Sequence, residues 1–300
     1  MAADGWIDLL DPDEGVLLEH APVTLQPVDV WQALRPAGDA RPRIVARDGY
    51  AFGVLLVAVA VPVEDRVYYQ EIDFVLTADR LLTIRKTPPD GRPFDPEPTR
   101  ESCRPGEPVG VHAAHLMEDV AEAYLRLVDD LEDEVDELED LMETAEARDA
   151  GRRIAGLRRD ILRIRRTLAP TRDAVRKLLD GRIEARVQAD VVPHEAELLL
   201  ADVYDKLLRS TESLETAREL VAGARDYHQA QIANAQNEVV QRLTVIASLL
   251  LVPTFIVGVY GQNFPHIPEI GWSFGYWWSW GWIVATTIAQ LAFFRWKRWI

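Results

Sequence analysis

The C-terminal fifth of this chain carries no charged side chain from Leu243 to Pro268, and none again from Gly271 to Phe294. A bilayer core of about 30 Å needs roughly 20 apolar residues per helix, and each run is long enough to supply one. Between them lies a short loop, Pro265 to Ser273, and the first run closes on Thr254-Phe255-Ile256-Val257-Gly258-Val259-Tyr260-Gly261-Gln262-Asn263-Phe264. A hairpin that only anchored a soluble domain would have no use for carboxamides at that turn, so the spacing predicts the mouth of a pore.

Orientation follows from the basic residues. Arg242 precedes the first run, and Arg295, Lys297 and Arg298 follow the second, whereas the loop holds one acid, Glu269, and no Lys or Arg. Both termini are therefore expected in the cytoplasm, with the Gly-Gln-Asn turn outside. Trp272, Tyr276, Trp277, Trp278, Trp280 and Trp282 crowd the outer end, as an interfacial aromatic belt does. Met1 to Glu14 is acidic and lacks the apolar core of a signal peptide.

Upstream the chain reads as soluble. Phe52 to Val61 is a near-continuous apolar run of the buried-strand type, with Tyr68 to Leu76 and Leu81 to Lys86 following at strand length. Val28 to Leu34 suits a short helix, and Thr87 to Pro108, rich in Pro, Gly and Asp, reads as loop. From His112 the period turns helical, with Leu116, Val120, Ala123, Leu127, Leu131, Leu138 and Leu141 on one face. Its other face is acidic from Asp129 to Glu143. A second helix, about 149–182, carries Arg152, Arg153, Arg158, Arg159, Arg163, Arg165 and Arg166. The expected arrangement is an antiparallel hairpin with facing charges and Gly151 near the turn. The acidic face offers an alternative role, holding hydrated divalent cations.

After Pro193, which suits a helix start, a third helical pattern runs unbroken to Tyr260, about 100 Å at 1.5 Å per residue. Leu200, Leu207, Leu214 and Val221 recur every seven residues, with Val203, Ala217 and Ala224 between them. Such a repeat is built to pack against other helices and predicts an oligomeric stalk. Counting sevens from Asn237 gives Thr244, Leu251 and Gly258, with Ser248 and Thr254 on neighbouring rungs, a small and weakly polar face suited to line a pore. The fold class expected is an α+β membrane protein: an N-terminal cytoplasmic α/β domain over 1–111, a helical hairpin and stalk over 112–236, and a transmembrane domain over 237–300 with spans about 243–261 and 275–294.

Composition narrows the function. The net charge of −16 argues against nucleic acid as a partner and for a cation-attracting surface. Cys103 is the only cysteine, so no disulfide framework or thiolate cluster is expected. No nucleophile–base pair, Walker loop or His/Cys metal set stands out, which speaks against an enzyme.

The residues Tyr260-Gly261-Gln262-Asn263-Phe264, then Ile267-Pro268-Glu269 and the basic-aromatic end Arg295 to Ile300, resemble the CorA family of divalent-cation transporters. The likeness extends upstream through Asp202-Val203-Tyr204-Asp205, the Arg158 to Arg176 helix with Pro170, the Asp130 to Asp140 helix, and Arg43 to Leu55. It covers the chain after about residue 40. The resemblance implies a homopentamer in the cell membrane, with a cytoplasmic α/β funnel, a stalk helix continuing into the pore and a peripheral second span. It implies Mg²⁺ as the ion transported, with Co²⁺ and Ni²⁺ as further candidates, no tightly bound cofactor, and gating by intracellular metal. On this chain Asn263 and the Gly261 backbone would form the outer selectivity ring, supported by Tyr260. Thr254, Leu251, Leu243 and Asn237 would follow down the pore, with Asp226 near its cytoplasmic end, and Glu269 would concentrate cations at the mouth. Asp202 matches a stalk carboxylate that helps bind regulatory metal between protomers. Gln262 departs from the usual Met, and His266-Ile267 stands where a Met often precedes Pro-Glu. The related ZntB branch also departs at the middle of the motif, so a proton-coupled Zn²⁺ transporter is the second reading. A non-conducting membrane-anchored metal sensor or scaffold is the third.

Overall fold

In a computed structural model that describes residues 5–38, 40–61, 66–89, 91–143, 147–187, 191–263 and 267–299, the chain divides into two compact units, Met1–Arg225 and Asp226–Ile300.

The first unit is built on a five-stranded sheet in the order β1-β5-β4-β3-β2. The strands are β1 (Trp6–Leu10), β2 (Arg43–Arg47), β3 (Tyr50–Val61), β4 (Arg66–Leu76) and β5 (Leu81–Arg85). All neighbours are antiparallel except β1, which runs parallel to β5. The apolar run in β3 has no alternation because both of its faces are covered. Ala51, Leu55 and Val57 join Ile72 and Phe74 in one core with the long helices. Tyr50, Phe52, Val54 and Leu56 point the other way, into a core with Leu17 of α1 (Glu14–His20) and Ala33 of α2 (Pro27–Leu34). Gly53 pairs with Phe74 in the ladder, and a Cβ at that position would stand 2.0 Å from the Phe74 ring. Only glycine leaves that ring its place.

Charge is buried under α2. Lys86, Glu71, Asp73 and Gln32 are all inaccessible. Lys86 Nζ lies 2.7 Å from Glu71 Oε1 and 2.8 Å from Asp73 Oδ2, and donates to the Gln32 carbonyl at 2.7 Å. Beside it Arg47 donates twice to Asp29, which also accepts from the Tyr50 hydroxyl. Buried charge is tolerable only when paired in this way. Among the first forty residues, β1 and α1 carry no sequence signal of their own. Across 87–108 the loop expectation is corrected, because α3 (Glu97–Ser102) forms there with Pro98 in its first turn, where a missing N–H costs nothing.

Two helices follow as expected, α4 (Val109–Glu143) and α5 (Ala147–Leu179). Gly151 lies within α5, and residues 144–146 between the two helices are outside the described residues. Leu116, Val120, Leu127, Leu131 and Leu138 of α4 are buried with Ile154, Leu157, Ile161, Ile164 and Leu168 of α5. The charges of the hairpin pair in more than one direction. Arg153 reaches Glu137 at 2.9 Å, but Arg163 pairs with Asp160 of its own helix and Arg165 with Glu215 further along the chain.

A single helix, α7 (His194–Tyr260), follows the short α6 (Glu184–Val187) and begins just after Pro193. The seven-residue repeat on α7 is corrected in its partner. Leu200, Val203, Leu207, Leu214, Ala217, Val221 and Ala224 are all buried, in the same core as α4 and α5. Lys206 on this helix pairs with Glu118 of α4, and Glu215 with Arg165 of α5. The chain's own hairpin satisfies the seam, so the repeat by itself gives no reason for a second copy.

Candidate functional site

The second unit holds the last part of α7 and α8 (Gly275–Trp296). Among the described residues α7 is the one helix with a stretch apolar and long enough to cross a bilayer. Most of α8 is Trp, Tyr and small residues, uncharged from Gly275 to Phe294. Within this unit Val245 is the buried residue of α7, with Ser248, Val252, Ile256 and Tyr260 half-buried on the same side. That spacing of three and four residues is one helix face. It meets α8 through the carboxamide of Gln290, whose Nε2 donates to the Ser248 carbonyl at 3.0 Å.

The opposite face is bare. At about 100° per residue, Leu243, Leu251, Thr254 and Gly258 fall on the far side from Val245, with Thr244 and Asn237 on the flank. All six are exposed, Leu251 by 69%. A shallow groove there is lined by Ala247, Leu250, Leu251, Thr254 and Phe255. Both threonine hydroxyls spend their proton on their own helix, Thr244 Oγ1 on the Val240 carbonyl at 2.8 Å and Thr254 Oγ1 on that of Leu250 at 2.7 Å. What they offer outward is an acceptor lone pair, suited to the water protons of a hydrated cation. Pro253 sits one residue before Thr254 and supplies no N–H to the Leu249 carbonyl.

At its end α7 unwinds through Gly261, whose N–H still reaches the Val257 carbonyl at 2.8 Å, and Gln262, which reaches Val259 at 3.4 Å. Gly261, Gln262 and Asn263 are exposed. A helix C-terminus presents unsatisfied carbonyls and about half a negative charge, and the last turn here holds no basic residue to neutralise it. Carbonyl oxygens and two carboxamides thus cluster at one end, a set that accepts from a metal's water shell without carrying formal charge. Phe264 and His266 lie outside the described residues. Beyond them Glu269 sits half-buried in a 3₁₀ turn, Pro268–Gly271. Its carbonyl packs so closely on Gly275 that a Cβ there would approach to 2.3 Å. The aromatic side chains around it are exposed and mutually tilted, Trp272 on Trp278 at 6.3 Å and Trp278 on Trp282 at 6.1 Å between ring centroids.

Asp226 is an exposed residue at the start of the second unit. Asp202 belongs to the first unit, where its carboxylate lies 3.1 Å from Lys206 Nζ. The same ammonium also holds Glu118 at 2.9 Å and Glu122 at 3.5 Å, and against the cost of burial Glu118 and Asp202 raise its pKa. Sequence reading found Asp202 but not its lysine, four residues on and so on the same helix face.

A charge-free helix surface that ends in acceptor-only oxygens, continued from a charged α/β unit, is the equipment of a membrane protein that moves cations. The chain belongs to the CorA-like Mg²⁺ transporter family, which it matches over residues 5–298. Members are ion transporters of the membrane and not enzymes. The chain is 26% identical over 264 residues to the cobalt/magnesium transport protein CorA of Thermotoga maritima, covering 87% of this chain and 73% of the relative. It is 28% identical to the metal ion transporter YfjQ of Bacillus subtilis, described as putative, covering 98% and 89%. In fold it is similar to the complete CorA magnesium transporter of Methanocaldococcus jannaschii, with a TM-score of 0.79 at 21% identity, over 98% of this chain and 91% of that one. Membership of this family makes the chain a divalent-cation transporter.

Proposed function

We propose that this protein admits Mg²⁺ to the cell as a homopentameric channel, with both termini cytoplasmic and α7 lining the pore. The observation that carries this reading is the bare face of α7. Its leucines alone would suit lipid, but exposed Thr254, Thr244 and Asn237 share that side, and their polar groups favour a water-filled path over hydrocarbon. Five such faces around an axis would put Thr254 and Gly258 near the mouth, Leu251 and Leu243 below them, and Thr244 and Asn237 toward the cytoplasm. Mg²⁺ sheds its waters reluctantly. A ring of Asn263 and Gln262 carboxamides with the Gly261 carbonyl, steadied by Tyr260, would hold the hydrated ion through those waters. Leu251 and Leu243 would close the path by dewetting.

Glu269 and Asp226 would raise the cation concentration at the two ends. Asp202 would take part in gating by intracellular metal: a divalent ion bound there between protomers favours the closed state, and its loss favours opening. Lys206 competes with that ion for the same carboxylate.

The test is metal uptake into liposomes containing the purified protein, comparing Mg²⁺ with Zn²⁺, with and without a proton gradient. Potential-driven Mg²⁺ flux that Asn263→Ala abolishes is expected. Zn²⁺ flux that requires the proton gradient would instead move the chain to the ZntB mode, for which the Gln262 departure speaks. No flux from a well-folded oligomer would leave only a sensor or scaffold.

A further inference from the structure

The lone cysteine, unremarkable in the sequence, is brought beside a histidine and a glutamate by the α3–α4 connection. Cys103 caps the end of α3, and Gly106, at a φ of +84°, turns the chain back so that Glu107 precedes α4. His112 follows in the first turn of α4. The Cys103 sulfur, a Glu107 carboxylate oxygen and a His112 ring nitrogen all lie within 4.8 Å of one another.

His112 makes this more than a chance cluster. It is 1% exposed, and among the described residues neither ring nitrogen has a hydrogen-bond partner. A ring neighbour, Trp6, stacks at 6.2 Å and sends its own N–H to Thr83 instead. A buried imidazole without partners forfeits two hydrogen bonds that water would have supplied. Burial also lowers its pKa, which keeps the ring neutral with a lone pair free to bind a metal. The other two groups are only weakly engaged. Cys103 points at the Thr99 carbonyl at 3.3 Å, and Glu107 accepts from the Arg104 N–H at 2.8 Å with its second oxygen 4.0 Å from the Arg104 guanidinium.

We propose that Cys103, Glu107 and His112 form a binding site for a borderline-soft divalent cation of the Zn²⁺ type, separate from the conduction path, with water as the fourth ligand. Sulfur, imidazole and carboxylate together select such an ion over Mg²⁺, which prefers oxygen alone. Zinc bonds of about 2.0–2.3 Å place tetrahedral ligands about 3.3–3.8 Å apart, so a closing motion of about 1 Å by the half-buried Glu107 and Cys103 completes the site. The thiol enters protonated, because burial and the neighbouring Glu107 and Asp119 push it up to about 11. The same carboxylates that oppose a thiolate attract a dication, and the proton displaced from sulfur leaves to solvent as the S–metal bond forms. The bound ion would pin α3 to the start of α4, beneath β1.

Because Cys103 is the only cysteine, its reaction with a thiol reagent reports on this site and no other. Full-length protein in detergent is labelled with and without Zn²⁺ or Mg²⁺, and Co²⁺ is added to look for a thiolate-to-metal charge-transfer band. Zn²⁺ should slow labelling about tenfold or more and Mg²⁺ should not. Glu107→Gln should weaken that protection at least about tenfold, the loss expected when metal coordination is disturbed. Asn263→Ala should leave it unchanged, which separates this site from the pore. Where His112→Gln fails to fold, the half-exposed Glu107 variant carries the test. Labelling indifferent to Zn²⁺, protection equally strong with Mg²⁺ or in Glu107→Gln, or a Co²⁺ complex without sulfur charge transfer would each overturn the assignment.

Discussion

Leu207 and Leu251 stand on the same helix, one fully buried and the other 69% exposed. Around Leu207 the helix lies against two others of its own chain, and elsewhere in the same unit, under α2, even charge is taken inside, as at Lys86 with Glu71 and Asp73. Around Leu251 the exposed residues are Leu243, Leu250, Phe255 and Val257. The first region completes its own interior, whereas the second shows the surface of a molecule that expects another solvent and other copies. On the proposed reading a leucine serves stability in one half of α7 and conduction in the other, and four substitutions test the contrast between the two regions.

The largest effect belongs to the buried cluster. Lys86→Met leaves Asp73 without its cation and Glu71 with only the more distant Arg35, at 3.8 Å, and breaking a buried pair in this way costs about 3–5 kcal/mol. Chemical denaturation of the full chain should show a fall in midpoint of that order. A shift no larger than that of a surface lysine would mean that water reaches the cluster and that α2 is held by something else.

Next comes Leu207→Ala, where removal of a buried leucine should cost about 2–5 kcal/mol. The same measurement decides whether the seven-residue seam is intramolecular. If instead the loss appears as a change in oligomeric state with little change in unfolding, the seam serves contacts between copies after all.

A smaller effect is carried by pH. Burial raises Asp73 to about 7, partly opposed by Lys86, against an ordinary carboxyl near 3.8. The folded state then binds more protons than the unfolded one between those values. Asp73 thus contributes stability that is present below about pH 4 and lost as pH rises toward 7. Asp73→Asn should remove this part of the pH dependence. An unchanged slope would assign it elsewhere.

These contrasts show what the sequence could disclose. The doubly covered β3, the helix start at Pro193 and the end of α7 at Tyr260 each follow from a local rule, namely period, punctuation or residue chemistry. The layer made by β1 and α1 does not, because β1 is five residues long and its partner β5 lies some seventy residues downstream. The heptad was visible but its partner was not, since periodicity says that a face is buried and never by whom. Lys206 beside Asp202, and His112 beside Cys103 and Glu107, were hidden for different reasons. The first becomes apparent only when the packing of α4 brings Glu118 and Glu122 to the same ammonium, and the second depends on the turn at Gly106 and the burial of α4.

Leu251→Ala is expected to change stability least. The side chain already stands exposed, so its truncation should move the denaturation midpoint by no more than about 0.5 kcal/mol. If five copies of this leucine narrow a water-filled path, however, shortening them widens and wets the constriction, and Mg²⁺ flux should rise or lose its dependence on intracellular metal. Replacement by Val, which keeps the constriction apolar, should move flux less. Should Leu251→Ala instead destabilise the protein as much as Leu207→Ala and leave flux untouched, this face packs against protein in the assembled membrane form, and the pore must be lined from another side of α7.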